Sequence, residues 1–173
     1  EVRMIMQTIQ MNDVLEIEKK EKPGIALTTN IPYVPTDERN LVYKAAKILM
    51  DEFHVKEGLS MKLDKFIPVA AGMAGGSSDA AAAFVGVNRL FGLGLSEEAL
   101  MERAVLVGAD VPYCVMRGTA LAEGIGEKLT RLPRLPHCYV LVGKPGVNVS
   151  TKMAYENLKL DDPAILHPDI DGM

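Results

Sequence analysis

Hydrophobic positions recur with a period of two in three early stretches. Val2 to Ile9 is rich in apolar residues, Val14 and Glu16 alternate with Leu15 and Ile17 between Asp13 and Glu18, and Ile25 to Thr29 continues the pattern. Three strands are predicted there, with a turn at Lys20-Glu-Lys-Pro-Gly24 between the last two. Ile31 to Asp37 reads as a proline-punctuated loop. The period then lengthens. Leu41, Ala45, Ile48, Leu49 and Phe53 fall on one helical face, which predicts a helix over 41–54 capped by Asn40. Leu59, Met61, Leu63 and Ile67 return to a period of two in a strand that ends at Pro68.

From Pro68 to Phe84 a glycine-rich loop follows this strand and opens into an alanine-rich helix, predicted over 78–91 and ended by Gly92-Leu-Gly94. Ser96 is placed to cap another helix, with Glu97 and Glu98 at its positive end; it runs to about Val107 and stops at Gly108. Strands are predicted over 111–117 and 119–123, with a tight turn at Glu123-Gly-Ile-Gly-Glu127. Pro133 to Pro136 reads as a linker, Cys138 to Val142 as an apolar strand and Lys144-Pro-Gly as a turn, and Ser150 or Thr151 caps a helix through Leu158. No internal repeat is visible. The architecture is α+β, with one domain over 1–134 and the beginning of a second over 135–173. Glu1 at the head of a strand pattern, and an end at Met173 with neither cap nor polar tail, lead to the expectation of a piece of a longer protein.

A chain of 173 residues that is 48% hydrophobic and 24% charged can bury a core without disulfides or metal. The net charge of −4 argues against a nucleic-acid surface, although a local basic patch remains compatible with it. No stretch gives the ~20 apolar residues of a membrane span, and no basic-then-apolar leader is seen. Cys114 and Cys138 lie in no CxxC pattern, so they read as free thiols in a reducing cytoplasm. Histidines 54, 137 and 167 have no metal-ligand spacing.

Two stretches carry candidate chemistry. Gly72, Gly75 and Gly76 let backbone amides approach an anion, and the helix that follows adds unpaired amides and a positive dipole end. Ser77 and Ser78 add hydroxyls able to meet phosphate or Mg²⁺. The stretch is neither a Walker loop nor a Rossmann fingerprint, because no lysine follows the glycines and their spacing differs. Its plainer reading is a flexible turn with a serine cap. Asp79 beside a phosphate is repulsive, so it has to face away, cap the helix or reach a metal. The second stretch is Gly108-Ala-Asp-Val-Pro112, where Asp110 is placed to accept a hydroxyl proton or is an ordinary turn residue.

Pro68-x-x-x-Gly72-Met-Ala-Gly-Gly-Ser-Ser78-Asp-Ala-Ala resembles the phosphate-binding motif of the GHMP kinases, which phosphorylate small hydroxyl-bearing metabolites with ATP. With Gly108-Ala-Asp-Val-Pro112, Ala122-Glu-Gly-Ile-Gly-Glu127, Arg3-Met-Ile-Met-Gln-Thr-Ile9, Asn40-Leu41 and Pro145-Gly-Val147, it is most similar to the branch acting on CDP-methylerythritol in non-mevalonate isoprenoid synthesis. The resemblance implies a GHMP N-terminal domain of the ribosomal protein S5 domain 2-like type, without its first strands, and the start of a GHMP C-terminal domain. It implies ATP and Mg²⁺ as cofactors and a small-molecule partner, with no nucleic acid and no membrane, in the cytoplasm. Pro68, Val69, Ala70, Ala71, Gly72, Met73, Ala74, Gly75, Gly76, Ser77 and Ser78 would wrap the ATP phosphates, with Ser77 or Ser78 near Mg²⁺. Lys65 and Asn40 would lie near the adenosine. Asp110 would take the proton of the substrate's C2 hydroxyl, and Tyr155, with Thr151, would hold the cytosine end by stacking.

The sequence departs from the family in one respect. The family's catalytic lysine and a substrate-holding Tyr-His pair belong ahead of the position of Glu1, and much of a C-terminal domain belongs after Met173. The expectation is therefore an intact protein that is a kinase and a 173-residue piece that is inactive alone. The alternatives are another GHMP kinase, acting on homoserine, mevalonate or a sugar, and a non-catalytic nucleotide-binding module.

Overall fold

The computed structural model describes residues 2–144, 146, 150–159, 165–166, 169–170 and 172, with Thr151 and Lys152 described for the backbone alone. The chain divides into two compact units, Glu1–Pro136 and His137–Met173. In the first unit the elements are β1 (Val2–Gln7), β2 (Val14–Lys20), β3 (Ile25–Thr29), α1 (Leu41–Glu52), β4 (Gly58–Asp64), α2 (Gly75–Phe91), α3 (Glu97–Ala104), α4 (Val111–Met116), β5 (Thr119–Gly124) and β6 (Lys128–Arg131). In the second unit α5 (Thr151–Glu156) is described, capped by Ser150, whose hydroxyl accepts from the Met153 amide. No helix among the described residues is long and apolar enough to cross a membrane.

Two three-stranded sheets form the first unit. One has the order β1-β5-β6 and is antiparallel throughout; the other has the order β2-β4-β3. β4 lies antiparallel to β2, with Leu15 opposite Leu63 and Ile17 opposite Met61, and parallel to β3, with Leu27 opposite Met61. The turn after β2 therefore does not close a hairpin. β4 comes between its two strands, and the parallel β3–β4 pair needs a crossover, which α1 supplies.

The alternating residues of β4 explain the core. Leu59, Met61 and Leu63 are each 1% exposed, and they face Val42, Ala45, Ala46 and Leu49 of α1 and Ala80, Ala81, Ala83, Phe84 and Val87 of α2. The alanines remove side-chain bulk where α1 and α2 pack together. Asn40 caps α1, its Oδ1 accepting from the Val42 amide at 2.9 Å, and Ser96 caps α3 by accepting from the Ala99 amide. Gly92, left-handed at φ 63°, ends α2.

Three expectations need correction. Residues 111–116 form the helix α4, not a strand. Pro112 stands in its first turn, where its missing N–H is no loss, and that outweighs the β-branched Val111 and Val115. Residues 138–142 form no strand: the described part of the second unit holds no strand for them to pair with, and Tyr139 and Leu141 are almost wholly exposed. α2 begins at Gly75 rather than Ser78, because a left-handed Ala74 turns its carbonyl to accept from the Ser78 amide at 2.8 Å. The structure also adds β6 over Lys128–Arg131, a stretch to which the sequence pattern assigns no element.

The start of β4 is a tight crossing. A Cβ on Gly58 would lie 1.9 Å from the Lys22 carbonyl oxygen, and the next amide, of Leu59, donates to the Gly24 carbonyl at 2.9 Å. Gly58→Ala is expected to lower the unfolding free energy by about 2–3 kcal/mol, the scale of a backbone-limited overpacking. Urea melts of the two proteins check this, and coincident midpoints would contradict the close approach.

A candidate phosphate-binding site

The stretch between β4 and α2 holds its amides open. Ala70, Gly72 and Ala74 adopt left-handed backbone at φ 55°, 69° and 50°, so every second residue turns the chain the same way. Alternation of this kind gathers successive N–H groups into a concave nest suited to an anion. No amide from Val69 to Ser77 finds an acceptor among the described residues, and α2 has no side-chain cap. The first turn of a 17-residue helix thus adds its unsatisfied donors and its positive dipole end to the same loop. For the two alanines the left-handed region costs about 1–3 kcal/mol each, so the surroundings must impose it.

Part of those surroundings is a buried ion triad. Lys65 Nζ donates to Asp79 Oδ2 at 2.7 Å and to Asp13 Oδ2, and the three side chains are 5%, 5% and 3% exposed respectively. Asp13 Oδ1 also accepts from the amides of Phe66 at 2.5 Å and Ile67 at 2.8 Å. Burial opposes the charge on Asp13, but Lys65 and the two amides outweigh it and hold its carboxyl below the usual range. Asp79 has no such amides. Burial pushes it up to about 7, Lys65 only partly offsetting this and the Asp13 charge adding to it. In the structure the Asp79 carboxylate is buried against Lys65, which takes up its Oδ2.

Two cavities flank this wall. One of about 410 Å³ is lined by every residue from Pro68 to Ser77, with Asn40, Lys65 and Asp79. Tyr33, Val34, Pro35 and Arg39 also line it; these come from the loop ahead of α1, where the only signal was its prolines. The other cavity, of about 330 Å³, takes Ser78, Asp79, Asp13, Thr8, Tyr113 and Arg117 on the opposite side. Ser77 and Ser78 thus face different cavities, and the Ser78 hydroxyl donates to the Gly75 carbonyl at 2.9 Å. The polar ends of Asn40 and Lys65 serve the fold: Asn40 Nδ2 donates to the Pro35 carbonyl at 2.7 Å while its Oδ1 caps α1, and Lys65 is held by the triad.

Asp110 stands at the N-terminal end of α4, half-buried, with no capping bond. Its carboxylate has no hydrogen-bond partner among the described residues, and it lines neither of the two cavities. It does share a neighbour with the triad. Burial pushes the Cys114 thiol up to about 12, and the charges of Asp110 and Asp79 push it further in the same direction. Neither cysteine is disulfide-bonded. Tyr155 is exposed on α5 of the second unit; the side chain of Thr151 and the stretch Pro145 and Val147 lie outside the described residues.

No group of three His, Cys, Asp or Glu able to hold a metal occurs among the described residues. Mg²⁺ carried by a polyphosphate takes one or two protein oxygens and most of its ligands from phosphate and water. Ser77, in the larger cavity, offers such an oxygen. Ser78 lines the other cavity with its hydroxyl on the Gly75 carbonyl, and the Asp79 carboxylate is taken up by Lys65.

Residues 40–118 match the family model of the GHMP kinases N terminal domain. The chain is 56% identical over 173 residues to a 4-diphosphocytidyl-2-C-methyl-D-erythritol kinase of Lachnoclostridium phytofermentans, covering all of this chain and 59% of that protein. It is 49% identical to the Bacillus subtilis protein of the same name, again over 100% of this chain and 59% of the relative. The chain thus spans about 59% of the length of these curated relatives. A crystal structure of 4-(cytidine 5'-diphospho)-2C-methyl-D-erythritol kinase superposes with a TM-score of 0.70 at 30% identity, over 87% of this chain and 52% of the other. Homoserine kinase from Cytophaga hutchinsonii shares the fold, with a TM-score of 0.69 at 22% identity over 83% of this chain and 50% of that one.

The raised carboxyl of Asp79 makes stability depend on pH. Folded, Asp79 keeps its proton up to about pH 7, whereas the unfolded group releases it near 3.8. The stability it contributes is therefore complete below about pH 4 and is lost as pH rises through about 7. The melting temperature of the wild type should fall relative to that of Asp79→Asn across that window. A gap that stays constant or narrows with rising pH would contradict the assignment.

Proposed function

We propose that this chain, whose residues 40–118 match the GHMP kinases N terminal domain, forms the ATP-binding part of a cytoplasmic kinase that phosphorylates the C2 hydroxyl of 4-diphosphocytidyl-2-C-methyl-D-erythritol, in the synthesis of isoprenoid precursors by the non-mevalonate route. The observation that carries the reading is the uninterrupted run of unpaired amides from Val69 to Ser77 at the start of α2. Such a nest suits the phosphates of a nucleotide. The choice of substrate rests on the 47–56% identity to relatives that bear this name, against a likeness in fold alone to the homoserine and mevalonate kinases.

Phosphoryl transfer asks mainly for positioning and charge neutralisation. In this reading the backbone of Pro68 to Ser78 orients the triphosphate, and Pro68, Val69, Asn40 and Lys65 wall the nucleoside side of the cavity. The Ser77 hydroxyl would offer one oxygen to a Mg²⁺ ion, which would supply charge neutralisation at the transferred group. The substrate's C2 oxygen forms the new bond to the γ-phosphorus as the bond to the β,γ-bridging oxygen breaks and ADP leaves. Asp110, with its carboxylate uncommitted, accepts the hydroxyl proton. Tyr155, in the second unit, has a π face of the kind that would suit a cytosine.

The test is ADP release by the intact gene product with Mg-ATP and 4-diphosphocytidyl-2-C-methyl-D-erythritol, alongside homoserine and mevalonate. Asp110→Asn is expected to reduce kcat by about 10²–10⁴, the scale of a lost proton acceptor, while ATP affinity stays within about threefold. Unchanged turnover in the variant would remove Asp110 from the chemistry. Turnover of homoserine or mevalonate only would reassign the substrate.

A further inference from the structure

A loop made of glycine and alanine has no side chains of its own to hold it, yet an anion nest works only when its donors keep a fixed spacing. In this chain both ends of the loop are fastened to one point. Lys65 lies just ahead of Pro68, and Asp79 lies in the first turns of α2 just after Ser78; the Nζ of the first donates to Oδ2 of the second at 2.7 Å. Asp13, from the connection between β1 and β2, takes the same Nζ and also holds the amides of Phe66 and Ile67. The backbone of Lys65 is itself gripped by Asn30, whose Oδ1 accepts from the Lys65 amide at 2.8 Å while its Nδ2 donates to the Lys65 carbonyl at 3.1 Å. The two ends then touch without slack: a Cβ on Gly75 would lie 2.9 Å from Ile67 Cγ2 and 3.3 Å from Lys65 Nζ.

We propose that Asp13, Lys65 and Asp79 act as a positioning clamp that sets the distance between the two ends of the glycine-rich loop, and through it the affinity for a nucleotide's phosphates. The inference takes its ligand from the kinase reading above. Buried ionic clusters are poor sources of net stability, because desolvation offsets most of the attraction among their charges, and an apolar substitute of similar volume often does as well. What an apolar substitute does not supply is a directional tie between two segments. Each amide-to-phosphate hydrogen bond depends on distance and direction, so a loop whose ends drift apart binds the phosphates less tightly. Lys65, Asp13 and Asp79 touch no reacting atom; they act through the loop.

Asp79→Leu tests the clamp, since it unfastens the helix end of the loop and leaves Lys65 and Asp13 as a neutral pair. In the intact gene product the KM for ATP should rise about tenfold, with kcat at saturating ATP within about threefold and the KM for the phosphate acceptor within about twofold. Asp79→Asn keeps an oxygen for Lys65 Nζ and should restore the KM for ATP to within about twofold of wild type. A merely structural role would lower melting temperature and active fraction and leave both KM values in place, and that pattern, or a parallel rise in both, would overturn the proposal. Hydrogen exchange without any nucleotide gives an independent arm. The amides of Ile67 and Ser78 should lose about tenfold of their protection in Asp79→Leu and keep it in Asp79→Asn, with α1 unchanged; equal protection in both variants would also overturn the clamp. Should the wild type show no affinity for ATP, the kinase reading fails, and the exchange result alone decides whether the clamp exists.

Discussion

A backbone segment that leaves its amides unpaired is stable only if something else holds it, and this constraint organises the first unit. From Val69 to Ser77 the loop forgoes internal hydrogen bonds, and α2 begins without a capping side chain. Two alanines also accept left-handed backbone there. The compensation comes from outside the loop. β4 ends just ahead of it with every second residue locked into the core, and α2 leaves it with a continuous buried face built on Ala80, Ala81, Ala83, Phe84 and Val87. A rigid strand and a rigid helix thus fix the two ends, and the Lys65 triad joins them.

The electrostatics follow the same division. One face of the loop must be positive for an anion, and the amides and helix dipole provide that without a cationic side chain. Asp79 lies close enough to spoil it, but it is buried and its carboxylate is taken up by Lys65. Asp110 is the opposite case. It sits in a short helix beside α2 with its carboxylate uncommitted, as a proton acceptor for a substrate hydroxyl would require.

What was legible in the sequence was what is local. Asn40 and Ser96 mark helix starts by side chains that bond two or three residues on, and Leu59, Met61 and Leu63 announce a buried strand by their period. The loop was legible by its glycines, although only Gly72 of the three left-handed positions was foreseeable, since alanine resists that conformation. Partners distant in sequence left no trace. Asp13 meets Lys65 across 52 positions, and Asn30 pairs with its backbone across 35. Residues 111–116 are too short for a helical period to outweigh two valines, so the proline in the first turn was the better guide. Cys138 to Val142 has a strand's composition, but composition does not provide a neighbouring strand.

The central claim is that the unpaired amides at the start of α2 are the ligand contact, and one measurement reaches it directly. Amide chemical shifts of the 173-residue chain can be followed by ¹H–¹⁵N correlation spectroscopy during titration with Mg-ADP. The account predicts saturable shifts that are largest from Val69 to Ser77 and extend only to the other residues lining the 410 Å³ cavity. Shifts centred elsewhere, or none at millimolar nucleotide, would contradict it.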